Sequence, residues 1–235
     1  MNQAVFRGLY QQCQQVSPYL KGEWQIMDEQ DPSTISLARS NLSSIRALYQ
    51  SLQQQSPEAG AAYWLTRSWN LLTWQPLYIA ITAIYHCKVL PDLCSLSQTH
   101  KNGLIAGFSF SCTRCDTGEN AQLVNRAGEQ LRRIFEHLRT DLDRSFRCRP
   151  RFVEHLIADA LLSRLLLLQH SHPEMSVCFI RNQATLWLNA LNLPQAHVNK
   201  IQYSESTKQL IFNRSSCCCI YKTAAGNKCA NCPRK

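Results

Sequence analysis

The chain has 235 residues, 45% of them hydrophobic and 17% charged, and its 25 Lys and Arg against 16 Asp and Glu give a formal charge of +9. That length buries a real core, as one large domain or two small ones, and the composition excludes a disordered chain. The positive balance attracts anionic partners (nucleic acid, an acidic protein or an anionic ligand) without choosing among them.

The first ten residues lack a basic segment followed by an apolar run, so no secretory signal is read there. The longest apolar stretch, Leu77 to Tyr85, falls far short of the roughly 20 residues that span a bilayer, and Leu156 to Leu168 is interrupted by Asp159 and Arg164. A cytoplasmic protein with no membrane span is expected, in a compartment where thiols stay reduced.

Val5, Leu9, Cys13 and Val16 predict a first helix over Gln3 to Val16. Asp31-Pro32-Ser33 offers a helix start, with Ile35, Leu37, Leu42, Ile45, Leu48 and Leu52 as its stripe up to the break at Ser56-Pro57. A third helix is expected from Glu58 to about Asn70, and a fourth through Leu77 and Tyr85 that stops near Pro91. The alternation from Gly103 to Phe110 predicts a short strand. Helices follow over Asn120 to Phe146, Arg151 to His170 and Gln183 to Leu191. Lys200 to Tyr203 and Gln209 to Phe212, joined by Ser204 to Lys208, read as a β-hairpin. The expected class is α+β: a predominantly helical body, residues 1–196, and a hairpin with a cysteine-rich tail, residues 197–235, forming one unit.

Five of the twelve cysteines fall in the last nineteen residues. Clustered cysteines in a reducing compartment point to metal binding or redox chemistry. The pattern is Cys217-Cys218, ten residues, then Cys229-Ala230-Asn231-Cys232 and Pro233. One turn can offer two thiolates and a returning segment two more, with Gly226 available for a left-handed residue on the way back. Four thiolates hold either a structural zinc or an iron–sulfur cluster. Adjacent cysteines in extended chain point to opposite sides, which is awkward around one zinc ion and easier around two irons. Spacing alone leaves both chemistries open, with incidental thiols as a third reading.

Arg214, Cys217, Cys218, Tyr221, Cys229, Cys232 and Pro233 resemble the terminal motif of the FhuF-type siderophore ferric reductases. The resemblance is firm from the hairpin to the end and looser through 64–90 and 151–168. It implies a 2Fe-2S cluster ligated by Cys217, Cys218, Cys229 and Cys232. It also implies an iron–sulfur oxidoreductase that reduces ferric siderophores, of the hydroxamate type, to release ferrous iron. Cys219 makes a run of three, so a register through Cys218 and Cys219 is conceivable; the ten-residue gap and the distance to Tyr221 favour the first pair.

No Gly-x-Gly-x-x-Gly loop is found, so a separate donor (a ferredoxin, a flavodoxin or an NAD(P)H-dependent reductase) is expected to bring electrons. Arg214, Lys222, Lys228, Arg234 and Lys235 surround the motif, either to draw in an anionic chelate or acidic donor or as ordinary solvated charges. Nucleic acid is not an expected partner. Two rivals stand beside the reductase: a zinc-stapled module whose basic surface contacts nucleic acid, and an iron–sulfur redox or iron sensor without turnover.

Cys112-Thr113-Arg114-Cys115 lacks the strand–helix setting of a redox dithiol and reads as structural. Tyr63, Trp64, Trp69, Trp74 and Tyr78 could line a groove, but their near-helical spacing favours core. His170-Ser171-His172 beside Pro173 reads as an exposed turn.

Overall fold

The apolar stripes become the buried faces of helices in a computed structural model of the chain, which describes residues 2–172, 174–206 and 208–234. α1 spans Asn2–Val16, α2 Leu42–Gln55, α3 Gly60–Thr82, α4 Asn120–Phe146, α5 Pro150–Ser171 and α6 Val177–Ala190. α4 shows the logic plainly: Leu123, Val124, Ala127, Leu131, Ile134, Phe135, Leu138 and Leu142 are buried at helical spacing, and its other face is Arg and Glu. α3 is the axis of the body and packs against α1, α2, α4 and α5, while α6 closes over α4 and α5.

Where two helices were expected between Glu58 and Pro91, α3 runs unbroken through Pro76. Proline has no N–H to give the carbonyl four residues back, which here is Leu72. Gln98 supplies the missing donor: its Nε2 lies 3.1 Å from the Leu72 carbonyl. The helix then widens into a π-helical turn over Ala83–Cys87 and stops where Lys88 takes a left-handed φ of 57°.

Among the described residues three small sheets cap this body. β1 (Thr34–Ser36), β3 (Leu96–Lys101) and β4 (Leu104–Phe110) form an antiparallel sheet in the order β1-β3-β4, and Asn102-Gly103, both at positive φ, make the tight turn between the last two. β2 (Val89–Pro91) pairs with β5 (Cys115–Thr117). β6 (Ile201–Ser204) and β7 (Gln209–Phe212) form the expected hairpin, with Ile201, Leu210 and Phe212 buried and β7 against α5.

The stripe beginning at Ile35 is therefore strand, not helix. Asn41 holds it there: its side chain accepts from the Ser36 amide and donates to the Ser36 carbonyl, both at 3.0 Å, and the helix starts only at Leu42. α6 also starts earlier than Gln183, because Ser176 caps Val177–Ala190 by accepting from the Phe179 amide at 3.1 Å.

His172 is drawn inward rather than exposed, with its Nε2 lying 3.2 Å from His86 Nδ1 and its Nδ1 3.0 Å from Glu174. The His170 side chain and Pro173 lie outside the described residues. Burial, followed by His172, Arg164 and Lys88, pushes His86 down from 6.5 to about 4. A lowered histidine stays neutral in the fold while the unfolded chain takes up a proton, so stability falls as pH drops from 6.5 toward 4. Thermal unfolding followed by circular dichroism should show this acid loss, and His86→Asn should flatten part of it. His100 and His197, which burial also lowers, contribute to the same loss, and the carboxylates lowered in the fold (Asp31, Glu136 and Glu174) add theirs as pH falls further. An unchanged slope in His86→Asn would exclude His86 as a source.

Candidate metal centre

The cysteine tail is fastened to the body before its first thiol. Asp159 on α5 is fully buried, with 0% exposure, and it accepts the Ser215 amide at 2.9 Å and the Ser216 amide at 2.7 Å. The Ser216 hydroxyl bonds the same carboxylate, and Arg214 Nε lies 3.7 Å from it. A buried carboxylate is costly unless paired, and here two amides, a hydroxyl and a guanidinium offset that cost. Beyond the first cysteines the tail is tied again, where the Ala224 amide donates to Glu58 at 2.8 Å.

Between these ties the chain turns twice. Ile220–Lys222 forms a short 3-10 turn, and the Cys232 amide reaches the Cys229 carbonyl at 3.1 Å to close the second. Gly226 returns the chain without the left-handed conformation expected of it; glycine is needed because a Cβ there would run into the Ile220 carbonyl.

The turns bring Cys218 Sγ and Cys229 Sγ to 3.2 Å, with buried Cys232 one turn from Cys229. Cys217 packs on the other side, against Ala59, Tyr63 and Cys219. Among the described residues no three Cys, His, Asp or Glu side chains close around one point. A binuclear cluster draws two protein thiolates to each iron, whereas structural zinc gathers four ligands about a single ion. A close pair with further thiols on adjoining turns suits the first.

Burial works against ionising Cys218, but the Ile220 amide, the Cys229 thiol and Arg214 outweigh it and bring the thiol below its ordinary value. Cys219 goes the other way: burial, then Cys217, pushes it up. Its backbone is left-handed, at φ 58°, and its thiol sits against Tyr63. Cys229 is raised, chiefly by the hydrogen bond it shares with Cys218. Arg234 donates to the Tyr221 hydroxyl at 3.1 Å, and Lys228 to the Arg234 carbonyl at 2.8 Å, so the motif tyrosine orders cations beside the thiols. Lys235 lies outside the described residues.

Cysteine sulfurs on two adjoining turns, with cations beside them, are a soft donor set of the kind that holds thiophilic metals. Residues 214–234 match the family model of the FhuF 2Fe-2S C-terminal domain. The cofactor of this tail is accordingly a 2Fe-2S cluster, which decides between the two chemistries that spacing left open. No solved structure matches the chain.

The other signals resolve separately. Cys115 sits on β5 opposite Pro91 and is pushed up to about 11 by burial first, then Asp116, Cys112 and Cys87, which disfavours its thiolate. Of the aromatic patch, Trp69 is core and Tyr63 packs against Cys219. Trp74 and Tyr78, however, line a cavity of about 610 Å³ between α3, β4 and α5 that also reaches Asp159 and Arg214. The groove is the lesser of the two readings that the aromatic spacing offers, and nothing in the sequence assigns Asp159 a place at the site. The available signal was an acid inside an otherwise apolar helical run, Leu156 to Leu168.

Proposed function

We propose that this protein reduces ferric hydroxamate siderophores by one electron and so releases ferrous iron. The observation that carries the reading is the match of residues 214–234 to an iron–sulfur domain, on a tail whose thiols are held by buried contacts rather than left loose. Cys217, Cys218, Cys229 and Cys232 are the ligands in this reading. When bound, the cluster supplies one electron at a time.

The chain's own residues would do the rest. Asp159 and Glu58 fix the tail, Arg214 lowers the Cys218 thiol, and Lys222, Lys228 and Arg234 give the tail a positive face. That face suits an acidic electron donor, such as a ferredoxin, a flavodoxin or the acidic surface of an NAD(P)H-dependent reductase. The substrate's hard oxygen ligands hold the small ferric ion and grip ferrous iron weakly, so accepting one electron loosens the metal. The donor loses that electron and the chelator leaves iron-free. In this division residues 1–196 hold the chelate and 197–235 hold the cluster, and we place the activity in the cytoplasm. No helix among the described residues is long and apolar enough to cross a membrane.

Anaerobic protein, reduced and freed of excess dithionite, should be reoxidised by a ferric trihydroxamate with about one ferrous ion trapped per cluster. A colourless zinc protein, or a reduced cluster that ferricyanide reoxidises and ferric hydroxamates do not, would overturn the reading. Reoxidation that stops after one turnover under every donor tested would favour an iron–sulfur sensor instead.

A further inference from the structure

We infer that the cavity between α3, β4 and α5 is the chelate-binding site, and that Arg67, Asn70, Trp74, Tyr78 and Ser163 form it with Arg214 as its boundary toward the cluster. The inference rests on the reductase reading for its substrate class and adds where and how that substrate is held.

Volume comes first. At about 610 Å³ the cavity falls within the range of small-molecule sites, and it is walled mostly by apolar side chains. Its aromatic wall is rigid. Trp74 donates its indole N–H to the Ile105 carbonyl at 3.1 Å and meets Tyr78 edge-to-face, with ring centroids 5.6 Å apart. The Arg164 guanidinium braces the Tyr78 ring at 5.0 Å.

Unused polarity comes second. Arg67, Asn70, the Tyr78 hydroxyl and Ser163 all line the cavity, and none has a hydrogen-bond or ion-pair partner among the described residues. Polar groups converging on an apolar cavity without protein partners are what orients a ligand in such sites.

Charge comes third. Two guanidiniums, Arg67 and Arg214, face one carboxylate, Asp159, which the tail amides already occupy. That balance suits a neutral or singly anionic chelate. Three monoanionic hydroxamates neutralise a ferric ion, whereas a ferric tris-catecholate carries three negative charges and would meet too little compensation. The oxygen-rich face of a ferric hydroxamate is a set of acceptors for Arg67, Asn70, Tyr78 and Ser163.

Position comes last. Arg214 lines the cavity and also lies beside Cys218, so one side chain separates a bound chelate from a cluster ligand. The electron therefore has a path of a single residue, and the developing negative charge on the substrate would be met by the same guanidinium.

The test uses cluster-loaded protein and the gallium(III) complex of desferrioxamine E, a cyclic trihydroxamate whose neutral complex has the shape and charge of its ferric counterpart but accepts no electron. Binding is read by titration calorimetry. Arg67→Gln should weaken it about tenfold, the loss of one charge-assisted hydrogen bond. Ser163→Trp, which thrusts an indole into the cavity, should abolish it. Both variants should keep the visible spectrum of the cluster, and Arg67→Gln guards against a misfolded Ser163→Trp because its side chain holds nothing else in place. Unchanged gallium-chelate affinity in both variants, with ferric reduction intact, would overturn the cavity and leave the reductase standing. Failure of the wild-type protein both to bind the gallium chelate and to reduce the ferric one would overturn both.

Discussion

Cys218→Ser and Cys229→Ser should each leave the protein colourless, with iron falling from about two per chain to near zero, while Cys219→Ser keeps both iron and spectrum. The expectation follows from where the thiols stand. Cys218 and Cys229 are 3.2 Å apart, and Cys218 is already biased toward the thiolate that a metal needs. Cys219 is turned into a small apolar nook with Ala59 and Tyr63 and pushed away from ionisation. Serine in place of Cys219 loses a little packing and no ligand. Iron and sulfide assays on anaerobically prepared variants read this directly. A colourless Cys219→Ser beside a brown Cys217→Ser would move the ligand pair one residue along the chain.

Asp159→Ala should release the tail. The substitution strips the Ser215 and Ser216 amides and the Ser216 hydroxyl of their acceptor and leaves Arg214 without its neighbour. Each orphaned half-buried donor costs about 1 kcal/mol, the low end for an unmade hydrogen bond, so a total of roughly 3 kcal/mol is expected, near the lower cost of breaking a buried ion pair. The loss falls on the local opening of the tail rather than on the helices. Two readouts follow: faster amide exchange at Ser215 and Ser216, and loss of the cluster to a chelator at least tenfold faster than in the wild type. Helical circular dichroism should stay near the wild-type signal. A variant whose cluster resists chelator as long as the wild type would show that Asp159 is not the anchor.

How much of this was legible in the sequence divides by distance along the chain. The thiols lie within sixteen residues of one another, so their spacing constrains the geometry directly and the motif could be read off. Asp159 lies 56 and 57 residues from the amides it serves, and no local pattern records that. The long helices were legible because their stripes repeat over many turns, as in α4. The break at Pro76 was misread for a physical reason: proline forfeits one hydrogen bond, and Gln98 on a neighbouring strand restores it. β3 was missed because Ser97, Gln98, Thr99 and His100 are polar, although Ser97 and Gln98 are buried. The aromatic patch was half right: Trp69 is core, but Trp74 and Tyr78 face a cavity.

The two ties of the tail set an order of assembly. The Ala224 amide finds Glu58 across 166 residues, and the Ser215 amide finds Asp159 across 56. Neither anchor exists as a fixed point until α3 and α5 have packed, and closing so long a loop carries an entropic cost that only a finished surface repays. The helices must therefore come together first, and the cysteines then gather on a template already built. Iron insertion is then expected as the closing step of maturation, after the body has folded.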